Sequence, residues 1–233
     1  MDRLYKGIHK FQESYFKKEE AFFQRLSKEQ KPDVLFITCA DSRVDPNLVT
    51  QSKPGELFIV RNVGNIIPPY DAIKDKNSVA AAIEFAVLNL KVQDIIVCGH
   101  SNCGAMQMLY EDEQILRRMP HVNEWLELSA SVRDFVLKYY GNASEEIRQR
   151  VTEEENILFQ LHNIQTYPFV KQALDKKTLY LHGWYYNIGT GSIYSYNTFP
   201  PACQSTTRRE SFFQPRLIRR GEKERCRTYL PGR

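Results

Sequence analysis

Three residues of this chain, Cys39, His100 and Cys103, are of the types that bind a soft or borderline metal ion. His100 and Cys103 are separated by two residues, a spacing that lets both side chains hold one ion. Zinc favours mixed thiolate and imidazole ligands in tetrahedral geometry. Three protein ligands leave a fourth position open, which is typical of a catalytic rather than a structural zinc site.

Two charged residues follow Cys39 closely, Asp41 and Arg43. Asp41 is near enough in sequence to bind the metal directly or to accept a hydrogen bond from metal-bound water. Arg43 could hold Asp41 through a charge-assisted pair and keep it away from the metal. The spacing therefore predicts a carboxylate and guanidinium pair beside the ion.

Apolar runs rich in β-branched residues precede both parts of this set, at 34–38 and 94–98, and a third lies at 56–60. Such runs are typical of strands buried on both faces of a parallel sheet. Cys39 ends the first run, and His100 lies just past the end of the 94–98 run. Because the carboxyl ends of parallel strands converge on one crevice, the three ligands are expected to meet there.

Helical patterns alternate with these strands. They are predicted at 4–15, around 22–26, from Asn77 to about Leu90, and at 104–118, 121–140 and 144–167. Segments 178–182 and 192–196 alternate around 187–191, which predicts an antiparallel hairpin. The predicted fold class is α/β, with a central, mostly parallel β-sheet flanked by helices, an edge hairpin near the C-terminus, and aromatic N-terminal helices that pack on a partner subunit.

The composition of the 233 residues is that of an ordinary globular protein, 42% hydrophobic and 26% charged. No stretch is apolar enough to span a membrane, and the first residues lack a secretory pattern, so a cytoplasmic location is expected. Five cysteines, an odd number without export, argue against a disulfide framework.

The last part of the chain differs from the rest. Residues 203–233 contain eight Arg and one Lys against three Glu, with no helical or strand period. We therefore expect a main domain at 1–197 and a basic tail at 198–233 that is disordered or serves for docking. Its aromatic residues are not interleaved with the charges beyond Phe212 and Phe213, which does not favour nucleic-acid binding.

Other residues with chemical potential have simpler interpretations. Cys98 lies inside an apolar strand and is expected in the core. The remaining histidines are expected to be surface or structural residues rather than ligands: His9, His121, His162 and His182. Tyr185 and Tyr186 are expected to pack in the sheet rather than to form a binding platform.

Four motifs occur in order at 39–44 (CADSRV), 54–58 (PGELF), 61–65 (RNVGN) and 99–104 (GHSNCG). With them, the chain resembles the β-carbonic anhydrases over roughly residues 4–197. The resemblance implies one zinc per chain held by Cys39, His100 and Cys103, and a catalytic dyad of Asp41 and Arg43. It also implies reversible hydration of CO2 to bicarbonate and a proton, with zinc-bound hydroxide as the nucleophile.

The pattern is similar to the plant-type branch of that family, which includes cyanobacterial carboxysomal members. Gln30 stands nine residues before the first cysteine, where that branch has a glutamine that reaches the substrate from the neighbouring subunit. This implies a homodimer or a higher even oligomer. Phe36 stands where the other branch has a tryptophan of a regulatory bicarbonate site, so that site is not expected.

The resemblance also implies a substrate pocket. Phe58 and Val63 match its apolar lining, and the backbone N–H of Gly104 is expected to stabilise a developing oxygen charge together with Gln30. Phe85 stands where the plant-type pattern has a tyrosine. A pocket hydroxyl is therefore missing.

Two further functions stay open. Some relatives with the same fold and ligand set hydrolyse CS2 or COS. A weakly active, carboxysome-associated structural protein is the other alternative, with the tail as the segment that contacts a scaffold protein.

Overall fold

A computed structural model of the chain describes residues 1–73 and 76–196, together with a short strand at 216–217. Its centre is a six-stranded sheet in the order β2-β1-β3-β4-β5-β6. The strands are β1 (Val34–Cys39), β2 (Leu57–Asn62), β3 (Asp94–His100), β4 (Tyr180–Asn187), β5 (Ser192–Tyr196) and β6 (Arg216–Leu217). Strands β1 to β4 are parallel, whereas β5 and β6 pair antiparallel with their neighbours. The predicted α/β class and mostly parallel sheet are confirmed.

Ten α-helices connect and flank the strands in the described part of the chain. They are α1 (Asp2–Lys10), α2 (Glu20–Leu26), α3 (Pro46–Thr50), α4 (Ser78–Glu84), α5 (Gly104–Met108), α6 (Glu113–Leu116), α7 (Pro120–Leu126), α8 (Ala130–Tyr140), α9 (Glu145–Ile164) and α10 (Pro168–Asp175). Helices α1 and α4 continue into π-helical segments, Phe11–Phe16 and Phe85–Leu90. No helix in these ranges has the length and apolar character needed to cross a membrane.

Strand register brings the two halves of the metal set together. In the β1–β3 pair, Thr38 lies opposite Cys98. Cys39 and His100 therefore end adjacent strands at the same edge of the sheet. The strands are parallel because helices connect them across the sheet, which places every strand's carboxyl end on one side.

Several details differ from the sequence prediction, and the helix predicted over 121–140 is divided into α7 and α8 by a 3₁₀ turn at Glu127–Ser129. The helix predicted over 104–118 is broken, because Asp112 takes an extended backbone conformation and a new helix starts after it. The helix predicted to stop at Pro168 ends at Ile164, and Pro168 begins α10, since proline suits the first position of a helix. The predicted hairpin is confirmed, but β4 extends to Asn187 and leaves a four-residue turn.

Helix α9 packs against β3 and β4, and Ile157, Leu161 and Ile164 from it are buried in the main core. The contact is close at Gly99, where a Cβ would lie 2.8 Å from Cγ1 of Ile157. Only glycine permits this approach without a shift of the Ile157 side chain. As a result, the middle of α9, at Glu153 and Ile157, lies directly behind the end of β3.

The N-terminal helices contribute no buried residue. Aromatic rings of this segment pack on one another, with the Phe11 and Phe23 centroids 5.7 Å apart. Leu4 and Ile8 remain more than half exposed. The apolar face of α1 is therefore uncovered by the described residues of its own chain.

The basic tail predicted at 198–233 lies outside the described residues, apart from β6. Backbone pairing of β6 with β5 places Leu217 opposite Tyr194.

Candidate metal centre

The three predicted ligands form one buried cluster. The sulfur atoms of Cys39 and Cys103 lie 3.9 Å apart. With a ring nitrogen of His100, the ligand atoms all fall within 4.8 Å of one another, and each residue is at most 5% exposed. Two sulfurs and one nitrogen at this separation suit a tetrahedral zinc ion, for which Zn–S bonds are about 2.3 Å and Zn–N bonds about 2.0–2.1 Å.

The imidazole of His100 is oriented for this role. Its Nδ1 lies 3.0 Å from the carbonyl oxygen of Ser101, and because a carbonyl can only accept, Nδ1 carries the proton. Nε2 is then left as an electron-pair donor. It is buried and has no hydrogen-bond partner among the described residues. A buried nitrogen without a partner, aimed at two thiols, is what a zinc ion would satisfy, so the residues present fit the metal.

The two thiols are electrostatically unequal without a metal. A hydrogen bond from the Cys103 thiol, helped by the Gly64 N–H, holds the pKa of Cys39 well below its usual value. The same bond, and the charge of a neighbouring thiolate, raises the pKa of Cys103. A divalent cation removes this conflict, because it favours both thiolates.

Asp41 and Arg43 form the predicted pair. The guanidinium donates from Nε to Oδ1 at 2.9 Å and from a terminal nitrogen to Oδ2 at 2.7 Å. These bonds hold the pKa of Asp41 well below its usual range, so the carboxylate is ionised at neutral pH. Oδ2 lies 3.8 Å from Nε2 of His100, at the border of the ligand cluster. Arg43 also donates to the carbonyl oxygen of Asn102, which ties the two ligand loops together.

The loop after β2 completes the wall around Cys39. Gly64 adopts a left-handed conformation, with φ of 77°, and its N–H points to the Cys39 sulfur at 3.4 Å. Arg61 donates to the carbonyl oxygens of Cys39 and Asp41. Both contacts fix the backbone from which the first ligand and Asp41 project.

A polar stripe on α9 supports this loop, and the sequence analysis missed it. Asn156 donates to the carbonyl oxygen of Gly64, and Asn163 donates to that of Ile67. Gln160 accepts from the Ile67 N–H at 2.8 Å. These residues and Glu153 are spaced three or four apart on the face that carries Ile157 into the core, and this spacing was the available signal.

The predicted pocket residues fall into two groups: Val63 and Gly104 adjoin the ligand loops, whereas Phe58 lies opposite Leu35, towards the amino end of β1 and four strand residues before the level of Cys39. Val63 follows β2 beside the cluster and is 41% exposed, as is Phe85. The rings of Phe58 and Phe85 pack with centroids 5.9 Å apart. Gly104 begins α5 directly after Cys103, with open space where a Cβ would be.

Gln30 is also a predicted site residue that the fold does not bring to its own cluster. It is exposed and lies before the amino end of β1, whereas Cys39 ends that strand. Six strand residues separate the two ends by roughly 20 Å at about 3.3 Å per residue. Gln30 therefore cannot contact the metal centre of its own chain.

The residues that the sequence predicts to be structural rather than functional occupy positions in the sheet and its core. Cys98 is 1% exposed in the apolar cluster of Phe36 and Ile96, and burial raises its pKa to about 12. His182 lies near the amino end of β4 and pairs with Asp94 at 2.8 Å, away from the ligands. Tyr185 is buried in the sheet, but its hydroxyl also bonds to Glu153.

Comparisons with known proteins agree with this geometry. The family model described as carbonic anhydrase matches residues 34–193. The chain is 46% identical over 197 residues to a carbonic anhydrase of Synechocystis sp., which covers 84% of this chain and 71% of that relative. The solved structure of the β-carbonic anhydrase CcaA superposes with a TM-score of 0.81 at 45% identity, covering 84% of this chain and 87% of the other. A tetrameric β-carbonic anhydrase from Sordaria macrospora gives a TM-score of 0.68 at 27% identity, with 83% and 92% coverage.

An α/β sheet with a Cys-His-Cys cluster at its carboxyl edge defines the class, a protein with a zinc-type metal centre on a mostly parallel sheet. The chain belongs to the β-carbonic anhydrase family.

Proposed function

We propose that this protein catalyses the reversible hydration of CO2 to bicarbonate and a proton. The observation that carries the proposal is the convergence of three buried ligand atoms beside an ionised Asp41 that Arg43 holds in place. Three ligands leave a coordination position for water, which is the arrangement of catalytic zinc sites.

Cys39, His100 and Cys103 would hold the ion, which when bound supplies a Lewis acid that lowers the pKa of water to about 7. Asp41 is placed to accept a hydrogen bond from the reacting water, because Oδ2 borders the cluster and faces Nε2 of His100. Its charge is preserved by Arg43. The carboxylate thereby fixes the direction in which that water presents its lone pair.

The pocket supplies an apolar surface for an uncharged linear substrate. Val63 provides part of that surface in its own chain, whereas Phe58 and Phe85, which pack on each other towards the amino end of β2, would line the pocket of a partner copy. The backbone N–H of Gly104 and the amide of Gln30 supply donors for the oxygens that gain charge as bicarbonate forms. Phe85 lacks the hydroxyl of the plant-type tyrosine, so its replacement by tyrosine is expected to raise the rate.

The site is completed by a second copy of the chain. Gln30 lies at the opposite end of β1 from its own cluster, and the residues that the structure describes leave the apolar face of α1 uncovered. A homodimer in which α1 packs on the partner would bring Gln30 to the partner's pocket and bury this face. The description of the Sordaria macrospora relative as tetrameric supports an even oligomer.

The carboxysomal or cytoplasmic location and the docking role of the tail stay predictions, and the tail lies outside the described residues apart from β6. The boundary at 197 between the main domain and the tail is likewise a proposal. Every residue of the cluster and of its supporting loops precedes that boundary.

Parallel assays of CO2, CS2 and COS on one zinc-loaded sample test the proposed substrate. Rapid CO2 hydration with neither sulfur compound consumed is the expected result. Faster hydrolysis of CS2 or COS than hydration of CO2 would replace the proposed function with that of a sulfur-compound hydrolase.

A further inference from the structure

A buried carboxylate on α9 contacts the second metal-ligand loop from behind. Glu153 is 3% exposed, and its Oε1 accepts the backbone N–H of Cys103 at 2.9 Å. Its Oε2 accepts the hydroxyl of Tyr185 at 2.9 Å. Gln149, one turn earlier on the same helix, donates to Oε1.

The N–H of Cys103 needs such an acceptor. Cys103 precedes α5 with an extended backbone, φ −70° and ψ 113°, and is 1% exposed. Water does not reach a backbone N–H buried in this way, so it requires a partner within the protein. Glu153 supplies that partner from a helix that is distant in sequence but held close by Gly99.

Other backbone groups of the loop are also held by hydrogen bonds. Ser101 donates its N–H to the carbonyl of Tyr186, Arg43 binds the carbonyl of Asn102, and Gln149 binds the carbonyl of Cys103 at 3.3 Å. Hydrogen bonds at both the N–H and the C=O thus fix the backbone of Cys103, from which its sulfur projects. Glu153 accepts the N–H of Cys103, and the hydroxyl of Tyr185 orients Glu153 in turn.

We propose that Glu153, oriented by Tyr185, is a positioning residue for the metal ligand Cys103. It fixes the backbone of Cys103 so that the sulfur meets Cys39 and His100 at metal-binding distance. The inference rests on the proposed zinc site and adds the residues that determine its geometry. Outer partners that orient metal ligands commonly change metal affinity 10- to 100-fold when they are replaced.

Four variants of the full-length chain test this proposal. Glu153→Leu removes the acceptor, and Tyr185→Phe removes the group that orients it. Glu153→Gln is the conservative variant, because an amide oxygen can still accept from Cys103. Tyr167→Phe is the matched control: it deletes an equally buried tyrosine hydroxyl, which bonds to the carbonyl of Pro68 and not to the ligand loop.

Folding is checked by circular dichroism, zinc affinity by competition with a chelator, and ligand geometry by the absorption bands of the Co²⁺-substituted protein. We expect affinity to fall about 10- to 100-fold in Glu153→Leu and about 3- to 10-fold in Tyr185→Phe, with altered thiolate-to-cobalt bands in both. Glu153→Gln should recover most of the affinity, and Tyr167→Phe should match the wild type in both measurements.

A folded Glu153→Leu protein with wild-type zinc affinity and cobalt bands would overturn the proposal. If that variant does not fold, the comparison of Tyr185→Phe with Tyr167→Phe decides, and equal affinities and spectra in the two would overturn it. A wild-type protein that binds neither zinc nor cobalt would instead overturn the proposed function.

Discussion

Asp41 and Arg43 face each other through two parallel hydrogen bonds, from Nε to Oδ1 at 2.9 Å and from a terminal nitrogen to Oδ2 at 2.7 Å. The carboxylate that is held in this way turns the same Oδ2 towards Nε2 of His100, 3.8 Å away. Bidentate pairs of this kind fix direction as well as charge. The arrangement keeps an ionised carboxylate at the border of the ligand cluster, with both of its oxygens held by Arg43.

Replacement of Arg43 by alanine should therefore lower activity without removal of the metal. With its partner gone, Asp41 is free to rotate onto the open coordination position, and we expect CO2 hydration to slow about 100-fold. Zinc content should remain near one per chain. Arg117→Ala is the control, because that arginine pairs with Glu113 at an exposed site, where an ion pair contributes little. An unchanged rate in Arg43→Ala would remove the dyad from the account.

Cys39 and Cys98 provide a matched test of the ligand assignment. Both are buried cysteines on neighbouring strands, but only Cys39 lies in the cluster. Cys39→Ala should release zinc, since two ligands are left. Cys98→Ala should keep one zinc and lose only about 1 kcal/mol of stability from the small cavity. Metal analysis and thermal unfolding of both variants check this, and zinc retained in Cys39→Ala would show that the ligand set is wrong.

Buried tyrosines predict a loss of stability in alkali. Burial raises the pKa of Tyr167, which is 1% exposed, above its ordinary value near 10. Above that pH the unfolded chain releases the proton while the folded chain keeps it, so the free energy of unfolding falls by up to about 1.4 kcal/mol per pH unit for this group. The stabilisation is complete below pH 10 and is lost as pH rises towards the folded-state pKa.

Urea unfolding between pH 9 and 11.5 measures this slope. In Tyr167→Phe the slope should be shallower by about that amount. Identical slopes in the variant and the wild type would mean that Tyr167 does not keep its proton in the folded protein.

Truncation tests the division into a domain and a tail. A chain that ends after Asn197 lacks β6 but keeps every residue of the metal cluster. It should bind one zinc and hydrate CO2 at the full-length rate, with a small decrease in unfolding temperature. Loss of zinc or of most of the activity would place part of the catalytic unit in the tail.

The ligand set could be predicted from sequence because Cys39 and His100 each end an apolar strand and Cys103 follows His100 after two residues. Once Val34–Cys39 and Asp94–His100 are parallel neighbours, their ends must meet. The position of Asp41 could also be predicted, because Asp41 lies two residues from both Cys39 and Arg43 in the chain.

The hydrogen bond that Glu153 makes behind the metal ligands could not be predicted from strand patterns and local spacing. Glu153 and Cys103 are 50 residues apart, and their contact depends on how closely α9 approaches β3. The break at Asp112 likewise interrupts a helical pattern that the sequence alone continues. Both features depend on tertiary packing between segments that are distant in sequence. The local sequence pattern carries no signal of such contacts.

The most direct test of the account is zinc titration of the metal-free protein with stopped-flow measurement of CO2 hydration on the same samples. We expect no CO2 hydration without metal, a linear rise of the rate as zinc is added, and saturation at one zinc per chain. Full activity in the metal-free protein, or no activity with one zinc bound per chain, would contradict it.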